Sequence, residues 1–311
     1  MSALPAGGLA EPLSLTLFSP AGVVRTVAPL RLAARRLAKL GFRVDVDDAA
    51  ALRVQRFAGD DETRLAAIHR IATAAPDVAL ATRGGYGLTR LLDRVDWKAI
   101  ARSVEKGTRW VGYSDLTALQ LGLLAHRGAI TWAGPLACDD FGRSEAAGGV
   151  DDITQACFVE AMTGVLEAVG FRTGDGLDGL EVRGTLWGGN LCVLNSLLGT
   201  PHFPRVRDGI LFLEDVNEHP YRIERNLLQL QHAGVLERQR AIVLGAFTGY
   251  RKSPNDRGYT LATAIERVRA ATRTPILTGL PYGHVETKVT LPVGAKVRLL
   301  VDRRQAYIAW A

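Results

Sequence analysis

A serine, a histidine and an acid stand at positions from which they could act together in acyl transfer. Ser114 lies in Gly112-Tyr113-Ser114-Asp115-Leu116, between a short apolar run and an amphipathic one. A serine on a strand-to-helix turn is exposed above the sheet with helix amides behind it, the arrangement of a nucleophile elbow. The segment keeps the first glycine of G-x-S-x-G but lacks the second. The competing interpretation is a helix N-cap, a common role for serine.

A serine nucleophile needs a base, and the chain has six histidines that could provide it. His284 differs from the others because it ends the turn-rich segment Gly279-Leu-Pro-Tyr-Gly-His284, which follows a predicted strand at Ile276–Thr278. Such a loop can hold a functional group at the edge of a sheet. On local sequence alone, an ordinary surface histidine is the competing interpretation.

The third member of such a triad is an acid that orients the imidazole and stabilises its charged form. Glu214 and Asp215 directly follow the apolar run Ile210–Leu213. Successive residues of a strand point to opposite sides, so we expect at most one of the two carboxylates to face a site. Either could instead cap the helix predicted to begin near Pro220.

Backbone amides for an oxyanion can come from two places in the sequence. The amide of Asp115 directly follows the serine, and the glycine-rich loop 83–87 lies at the carboxyl end of another predicted strand, where glycine permits close approach. Phosphate binding competes for this loop, but the loop is not G-x-G-x-x-G and no ribose-binding acid follows at the usual distance. We therefore do not expect a dinucleotide cofactor.

The sequence contains no metal-binding motif. Its arginines could bind a substrate carboxylate, but no motif singles them out. There is no H-E-x-x-H, and the histidines and carboxylates are not spaced as ligand sets. We expect neither a metal nor an organic cofactor. Arg222 and Arg225 share a predicted helix face and could bind a substrate carboxylate, as could Arg83 by its charge, although a solvated helix face also explains the first two.

The elements that must position these residues form two patterns. In residues 1–150, short apolar runs alternate with amphipathic ones, which predicts a parallel sheet with crossover helices. Residues 151–178 are polar and glycine-rich around one helical piece, and we expect a linker there. In residues 179–311, a glycine-rich segment leads into a helix, Pro220 and Gly234 bound another helix, and alternating runs near the end predict antiparallel strands.

Composition limits the class of protein. The 311 residues are 47% hydrophobic and 23% charged, the composition of a soluble globular protein. The net charge of +6 comes without a block of lysine and arginine, so we expect a small anionic substrate and no nucleic acid. Its three cysteines form no C-x-x-C pair, which favours the reducing cytoplasm. We expect no cleavable signal at Met1–Leu13 and no membrane span.

Six segments in order over nearly the whole chain resemble the serine LD-carboxypeptidases, or muramoyltetrapeptide carboxypeptidases, and the related microcin C self-immunity peptidases. The segments are Ser19-Pro-Ala-Gly22, Arg83-Gly-Gly-Tyr-Gly87, Gly112-Tyr-Ser-Asp115, Gly184-Thr-Leu-Trp-Gly-Gly-Asn190, Phe212-Leu-Glu-Asp215 with Pro220-Tyr-Arg-Ile223, and Gly279-Leu-Pro-Tyr-Gly-His284.

The resemblance implies a triad of Ser114, His284 and Glu214, with the amides of Gly85 and Asp115 as the oxyanion hole. It implies an α/β fold: a Rossmann-like amino-terminal domain similar to class I glutamine amidotransferases, and a carboxy-terminal mixed α/β domain rich in antiparallel strands. It also implies a homodimer without cofactors that releases terminal D-alanine from muropeptide tetrapeptides in peptidoglycan recycling. The further residues that we expect at the substrate are Arg83, Gly84, Tyr86, Asn190 and Arg222.

Three other functions are weighed against this one. A microcin-type peptidase would use the same triad on an amide that joins an aminoacyl group to a nucleotide analogue. A non-catalytic protein that binds muropeptides would not need all three triad residues together. A Rossmann-like oxidoreductase lacks support because no dinucleotide motif is present.

Overall fold

The computed structural model describes residues 12–310, whose strands form two sheets. The strands are β1 (Ser14–Phe18), β2 (Arg43–Val46), β3 (Val78–Ala81), β4 (Arg109–Gly112), β5 (Thr131–Ala133), β6 (Ala168–Arg172), β7 (Glu181–Asn190), β8 (Gly209–Val216), β9 (Gln239–Thr248), β10 (Ile276–Thr278), β11 (Leu291–Val293), β12 (Lys296–Asp302) and β13 (Gln305–Ala309). The helices are α1 (Val27–Lys39), α2 (Asp61–Ala74), α3 (Trp97–Glu105), α4 (Thr117–Arg127), α5 (Asp152–Thr163), α6 (Leu191–Ser196), α7 (Pro220–His232) and α8 (Leu261–Arg269). Residues 1–11 and 311 of the predicted domains lie outside the described part.

The first sheet has the order β11-β5-β4-β3-β1-β2, and its first-half strands all run parallel. β3 reads Val-Ala-Leu-Ala and is buried along its whole length, as expected for a parallel strand covered on both faces. β11 comes from near the end of the chain and pairs with β5 in the antiparallel direction. The two halves of the chain therefore share this sheet.

The second sheet has the order β10-β9-β8-β7-β12-β13-β6 and mixes both strand directions. β7 to β10 run parallel, whereas β12, β13 and β6 are antiparallel to their neighbours. The mixed α/β architecture is confirmed, and the end of the chain forms antiparallel strands as its alternating pattern predicts. The segment 151–178, expected as a linker, holds α5 and β6, and β6 lies at the edge of this sheet.

The carboxyl ends of the parallel strands place the candidate site residues. Ser114 follows β4, Asn190 ends β7, and Glu214 lies near the end of β8. Ligands of open α/β sheets bind outside these strand ends. Within residues 12–310, no helix has both the length and the apolar character needed to cross a membrane.

Candidate active site

Ser114 sits on a tight turn between β4 and α4. Its φ is 63°, in the left-handed region that residues other than glycine seldom adopt. Such backbone strain persists only where the surrounding structure holds it, and it is concentrated at functional sites. A short 3₁₀ turn over Ser114–Leu116 leads directly into α4. The serine is therefore presented on a strained connection between a buried strand and a helix.

The glycine-rich loop 83–87 approaches the serine closely. A Cβ atom on Gly84 would lie 2.7 Å from both Cβ and Oγ of Ser114 and 3.3 Å from the amide nitrogen of Asp115. The carbonyl oxygen of Gly84 accepts a hydrogen bond from the Gly22 amide at 2.9 Å, which ties this loop to a neighbouring one. Gly85 has a φ of +100° and packs against the Gly22 backbone. Only glycine at position 84 leaves room for the serine side chain.

Glu214 and His284 form a hydrogen-bonded pair. Nδ1 of His284 lies 2.8 Å from Oε2 of Glu214, and the Glu214 side chain is fully buried whereas that of His284 is 23% exposed. The pairing of β8 with β9 shifts register between Leu213 and Asp215, where Glu214 lies opposite two residues of β9. The extra residue is therefore on β9, and β8 keeps its regular pairing with β7 through Glu214.

The loop after β10 brings His284 to the glutamate. The amide of Ala246 donates a hydrogen bond to the carbonyl oxygen of Tyr282 at 2.9 Å, so the loop continues beside β9. Gly283 follows with a φ of +123°, and a Cβ there would lie 2.8 Å from Oε2 of Glu214. The hydroxyl of Thr248 donates to the carbonyl oxygen of His284 at 3.2 Å. The close approach of His284 to Glu214 thus depends on a glycine.

Tyr113 joins the histidine to the turn that carries the serine. Its buried ring meets the His284 ring edge to face, with 4.9 Å between the ring centres. On another side, Nζ of Lys288 lies 5.4 Å from the centre of the Tyr113 ring and forms a buried ion pair with Asp140. The residue directly before Ser114 is therefore packed against the imidazole.

Two buried aspartates hold backbone groups of the site. Asp115 accepts a hydrogen bond from the Leu88 amide at 2.9 Å, and Asp215 accepts one from the Cys192 amide at 2.9 Å. Burial raises the pKa of each carboxyl group to about 6. The Asp115 side chain thus anchors the glycine-rich loop, while Glu214 alone of the two adjacent acids pairs with the histidine.

The other predicted site residues differ in whether they contact the candidate triad. Nδ2 of Asn190 donates to Oε1 of Glu214 and to Oδ1 of Asp215, both at 3.0 Å, and the residue is buried. Arg83 is half-buried and donates to the Val23 carbonyl oxygen at 3.2 Å.

Tyr86 is exposed and packs near Phe57, and Arg222 is exposed beside Glu218. Among residues 12–310, no hydrogen bond or ion pair joins Tyr86 or Arg222 to Ser114, Glu214 or His284. In the same range, no three His, Cys, Asp or Glu side chains gather as a metal site would require.

Comparison with known proteins identifies the family of this chain. The chain matches the LD-carboxypeptidase N-terminal domain over residues 15–134 and the LD-carboxypeptidase C-terminal domain over residues 183–299. The chain belongs to the LD-carboxypeptidase family. Both halves of the family architecture are therefore present, in the order that the six sequence segments predict.

Individual relatives agree with this family. A crystal structure of muramoyltetrapeptide carboxypeptidase from Oxalobacter formigenes is 38% identical, covers 95% of this chain and 98% of its own, and has a TM-score of 0.86. A Bacillus subtilis protein named as a probable murein peptide carboxypeptidase is 28% identical over 96% of this chain and 94% of its own. As a member of this family with carboxypeptidases among its relatives, the chain is a serine-type carboxypeptidase.

A third relative is named as a self-immunity protein and not as a carboxypeptidase. The Escherichia coli microcin C7 self-immunity protein is 27% identical over 75% of this chain and 74% of its own. A solved structure of a microcin C7 self-immunity protein in complex with aspartyl sulfamoyl adenosine is 23% identical, covers 99% of each chain and has a TM-score of 0.84. That structure shares the fold of this chain.

The structure adds contacts of three residues that the sequence does not indicate. The sequence predicts Asn190 at the substrate, and in the structure its side-chain amide donates a hydrogen bond to Glu214. Gly283 and Tyr113 were not singled out, although each directly precedes a triad candidate in the sequence. That adjacency was the one available signal, because the contacts themselves join strands far apart in the chain.

Proposed function

We propose that this protein hydrolyses the L,D-peptide bond that precedes terminal D-alanine in muropeptide tetrapeptides, with Ser114 as nucleophile, His284 as base and Glu214 as the orienting acid. The observation that carries the proposal is the 2.8 Å bond between His284 Nδ1 and Glu214 Oε2. The imidazole packs against Tyr113, the residue directly before Ser114 on its strained turn. With Nδ1–H donating to the carboxylate, Nε2 is left unprotonated and can accept the serine proton.

The reaction proceeds in two halves. Nε2 of His284 takes the hydroxyl proton while Oγ of Ser114 forms a bond to the carbonyl carbon. Glu214, fully buried, stabilises the imidazolium that results. The carbon–nitrogen bond then breaks, Nε2 returns the proton to the amine of D-alanine, and water attacks the acyl-enzyme in the same way to free the serine.

The oxyanion of each tetrahedral intermediate is bound by the amides of Gly85 and Asp115. The 3.3 Å separation between the Gly84 Cβ position and the Asp115 amide nitrogen supports this, because it brings the loop 83–87 and the turn after the serine together. The strand, the turn at φ 63° and the helix α4 support the proposal of a nucleophile elbow. We extend this to the wider proposal of an amino-terminal domain like class I glutamine amidotransferases.

A carboxypeptidase must also bind the free carboxylate of its substrate. Arg83 is the cation that we favour, because its loop contacts Ser114 and its side chain is half-buried. Gly84 and Tyr86, on the same loop, would line the entrance. Arg222 is a weaker candidate because it is exposed and lies 3.8 Å from Glu218. Asn190 contributes by holding Glu214.

The alternative substrate is an aminoacyl nucleotide analogue of the microcin type, supported by the relative that confers microcin C7 self-immunity. Cleaving such an amide would use the same three residues. The difference would lie in the groups that bind the leaving part: a free carboxylate in one case and a nucleoside in the other.

The proposal also covers the domain organisation, the oligomeric state and the location of the enzyme. We place the catalytic serine in an amino-terminal domain of residues 1–150, a linker at 151–178, and the glutamate and histidine in a carboxy-terminal domain of residues 179–311. We also propose a homodimer that works in the cytoplasm, a location that the three free cysteines support.

The test is a comparison of two substrates with the wild-type protein. Purified muropeptide tetrapeptide and aspartyl sulfamoyl adenosine are incubated separately with the enzyme, and the products are followed by mass spectrometry. We expect the tetrapeptide to lose one alanine and the nucleoside compound to stay intact. Cleavage of only the nucleoside compound would support the alternative, and cleavage of neither would contradict both functions and favour a muropeptide-binding protein.

A further inference from the structure

A cavity opens at the amino ends of strands in the second sheet, away from the carboxyl ends that carry the candidate active site. Its volume is about 860 Å³, and it lies at the amino ends of β7, β8 and β9. Arg183 in its wall precedes Asn190 by seven residues on β7. At about 3.3 Å per residue, the cavity and the triad are roughly 20 Å apart. A small molecule held in this cavity would therefore not touch Ser114.

The cavity is strongly basic. The cationic side chains in its wall are Arg183, Arg207, Arg240, Lys296 and Arg298, and the carboxylates are Glu167 and Asp208. Asp208 lies 3.4 Å from Arg240, and Arg298 lies 2.9 Å from Glu181 outside the cavity. Within residues 12–310, the other three cations have no carboxylate within 4.0 Å. Among the described residues, three cations of the cavity are thus not neutralised by a contacting carboxylate.

One wall of the cavity is flat and apolar. Trp310 is half-buried there, and its ring centre lies 6.3 Å from that of Trp132, which supports it edge to face. Gly184 also lines the cavity, and a Cβ on it would lie 2.3 Å from the carbonyl oxygen of Asp208. The glycine lets β7 and the segment before β8 meet closely. An indole wall and a cluster of cations therefore face the same space.

We propose that this cavity binds a small ligand in which two linked phosphate groups stand beside a flat ring, the chemistry of a nucleoside diphosphate. One carboxylate would leave most of the charge of three cations unmatched, whereas a pyrophosphate group carries enough negative charge for all of them. Guanidinium groups bind phosphate oxygens through paired hydrogen bonds, and an indole can stack on a nucleobase. The volume is within the range of about 300–1,000 Å³ that small-molecule sites have.

The first experiment is a calorimetric titration of the full-length protein with ADP and, separately, with inorganic pyrophosphate. The cavity variant combines Arg183→Gln, Arg207→Gln and Lys296→Gln. The matched control combines Arg31→Gln, Arg35→Gln and Lys39→Gln, three exposed cations of α1 whose removal changes the net charge equally. We expect the cavity variant to bind ADP at least about 30-fold more weakly, and the control to stay within about threefold of wild type.

Two further measurements separate this site from the active site and from general attraction of anions. Trp310→Leu should lower the affinity for ADP to that for pyrophosphate, because it removes the stacking surface. ADP should bind Ser114→Ala as it binds wild type, and should leave D-alanine release unchanged. The proposal is overturned if wild type does not bind ADP, if the α1 control loses as much affinity as the cavity variant, if pyrophosphate binds as tightly as ADP, or if ADP competes with the peptide substrate.

All six substituted cations are exposed, so both triple variants should fold, and their melting temperatures should match that of wild type. Lys296→Glu alone provides a second variant that reverses one charge of the cavity. It should weaken ADP binding by at least about tenfold. Unchanged ADP affinity in this variant would also overturn the proposal.

Discussion

Replacing Gly84 by alanine should remove most of the peptidase activity while the protein still folds. The new Cβ would lie 2.7 Å from both Cβ and Oγ of Ser114. Non-bonded carbon atoms are normally about 3.5–4.0 Å apart, so the serine and the loop must separate by roughly 1 Å. Gly84 does not have a left-handed φ, and alanine therefore adds no backbone strain of its own.

The size of the effect follows from that displacement. A shift of about 1 Å at a reacting group costs on the order of 100-fold in rate, and overpacking typically costs about 1–3 kcal/mol of folding free energy. We expect kcat/KM for D-alanine release to fall by about 100-fold and the melting temperature to fall by several degrees.

The assay is chromatographic quantification of D-alanine released from muropeptide tetrapeptide, with thermal unfolding followed by circular dichroism. Gly174→Ala is the matched control, because Gly174 also lacks a left-handed φ and the nearest atom to its Cβ position is Nη2 of Arg304 at 3.8 Å. The control should behave as wild type. A folded Gly84→Ala protein with wild-type kcat/KM would refute the close approach of this loop to a catalytic serine.

Three more substitutions test the parts of the site separately. Glu214→Gln keeps the shape but removes the charge beside the imidazolium, so kcat should fall by about 10⁴-fold, and a loss below about tenfold would contradict the orienting role. Asn190→Ala removes the hydrogen bond to Glu214, which is worth about 1.5–3 kcal/mol. We therefore expect kcat to fall by about 10- to 100-fold with KM unchanged. A change in KM alone would indicate that Asn190 contacts the substrate instead. Burial raises the pKa of Asp115 to about 6. Between about pH 4 and 6 the folded protein therefore keeps a proton on this carboxyl group that the unfolded chain has released. The free energy of unfolding falls as pH rises through this window. Urea unfolding of Asp115→Asn should therefore show its stability relative to wild type rising by about 2.4 kcal/mol from pH 4 to 7. A difference independent of pH would contradict the burial of an ionisable group there.

Elements bounded by strong local signals could be predicted from the sequence. The helix Pro220–His232 has the predicted limits because proline starts it and Gly234 follows its end. β7 was not predicted, since its last five residues, Leu-Trp-Gly-Gly-Asn, include two adjacent glycines, which locally indicate a break. In the folded protein a Cβ on Gly188 would lie 1.9 Å from the carbonyl oxygen of Phe212, so the glycine is required by a neighbouring strand.

The candidate site shows the same limit of local information. The types of Ser114, Glu214 and His284 and their places at strand ends were visible in the sequence, and the family resemblance singled them out. The choice between Glu214 and Asp215 depends in the structure on where the loop of His284 lies, because Nδ1 of that histidine contacts Glu214. The contact of Asn190 with Glu214 arises because β7 and β8 pair with these two residues in register. Such pairing is set by the whole sheet, so no local pattern predicts it.

The most direct test of the central proposal is mass spectrometry of muropeptide tetrapeptide incubated with wild type, with Ser114→Ala and with Ser196→Ala, an exposed serine of α6 that serves as control. We predict that wild type and Ser196→Ala release one alanine from the peptide, and that Ser114→Ala releases none while calorimetry shows that it still binds the tetrapeptide. Alanine release by a folded Ser114→Ala protein at the wild-type rate would contradict the assignment of Ser114 as the nucleophile.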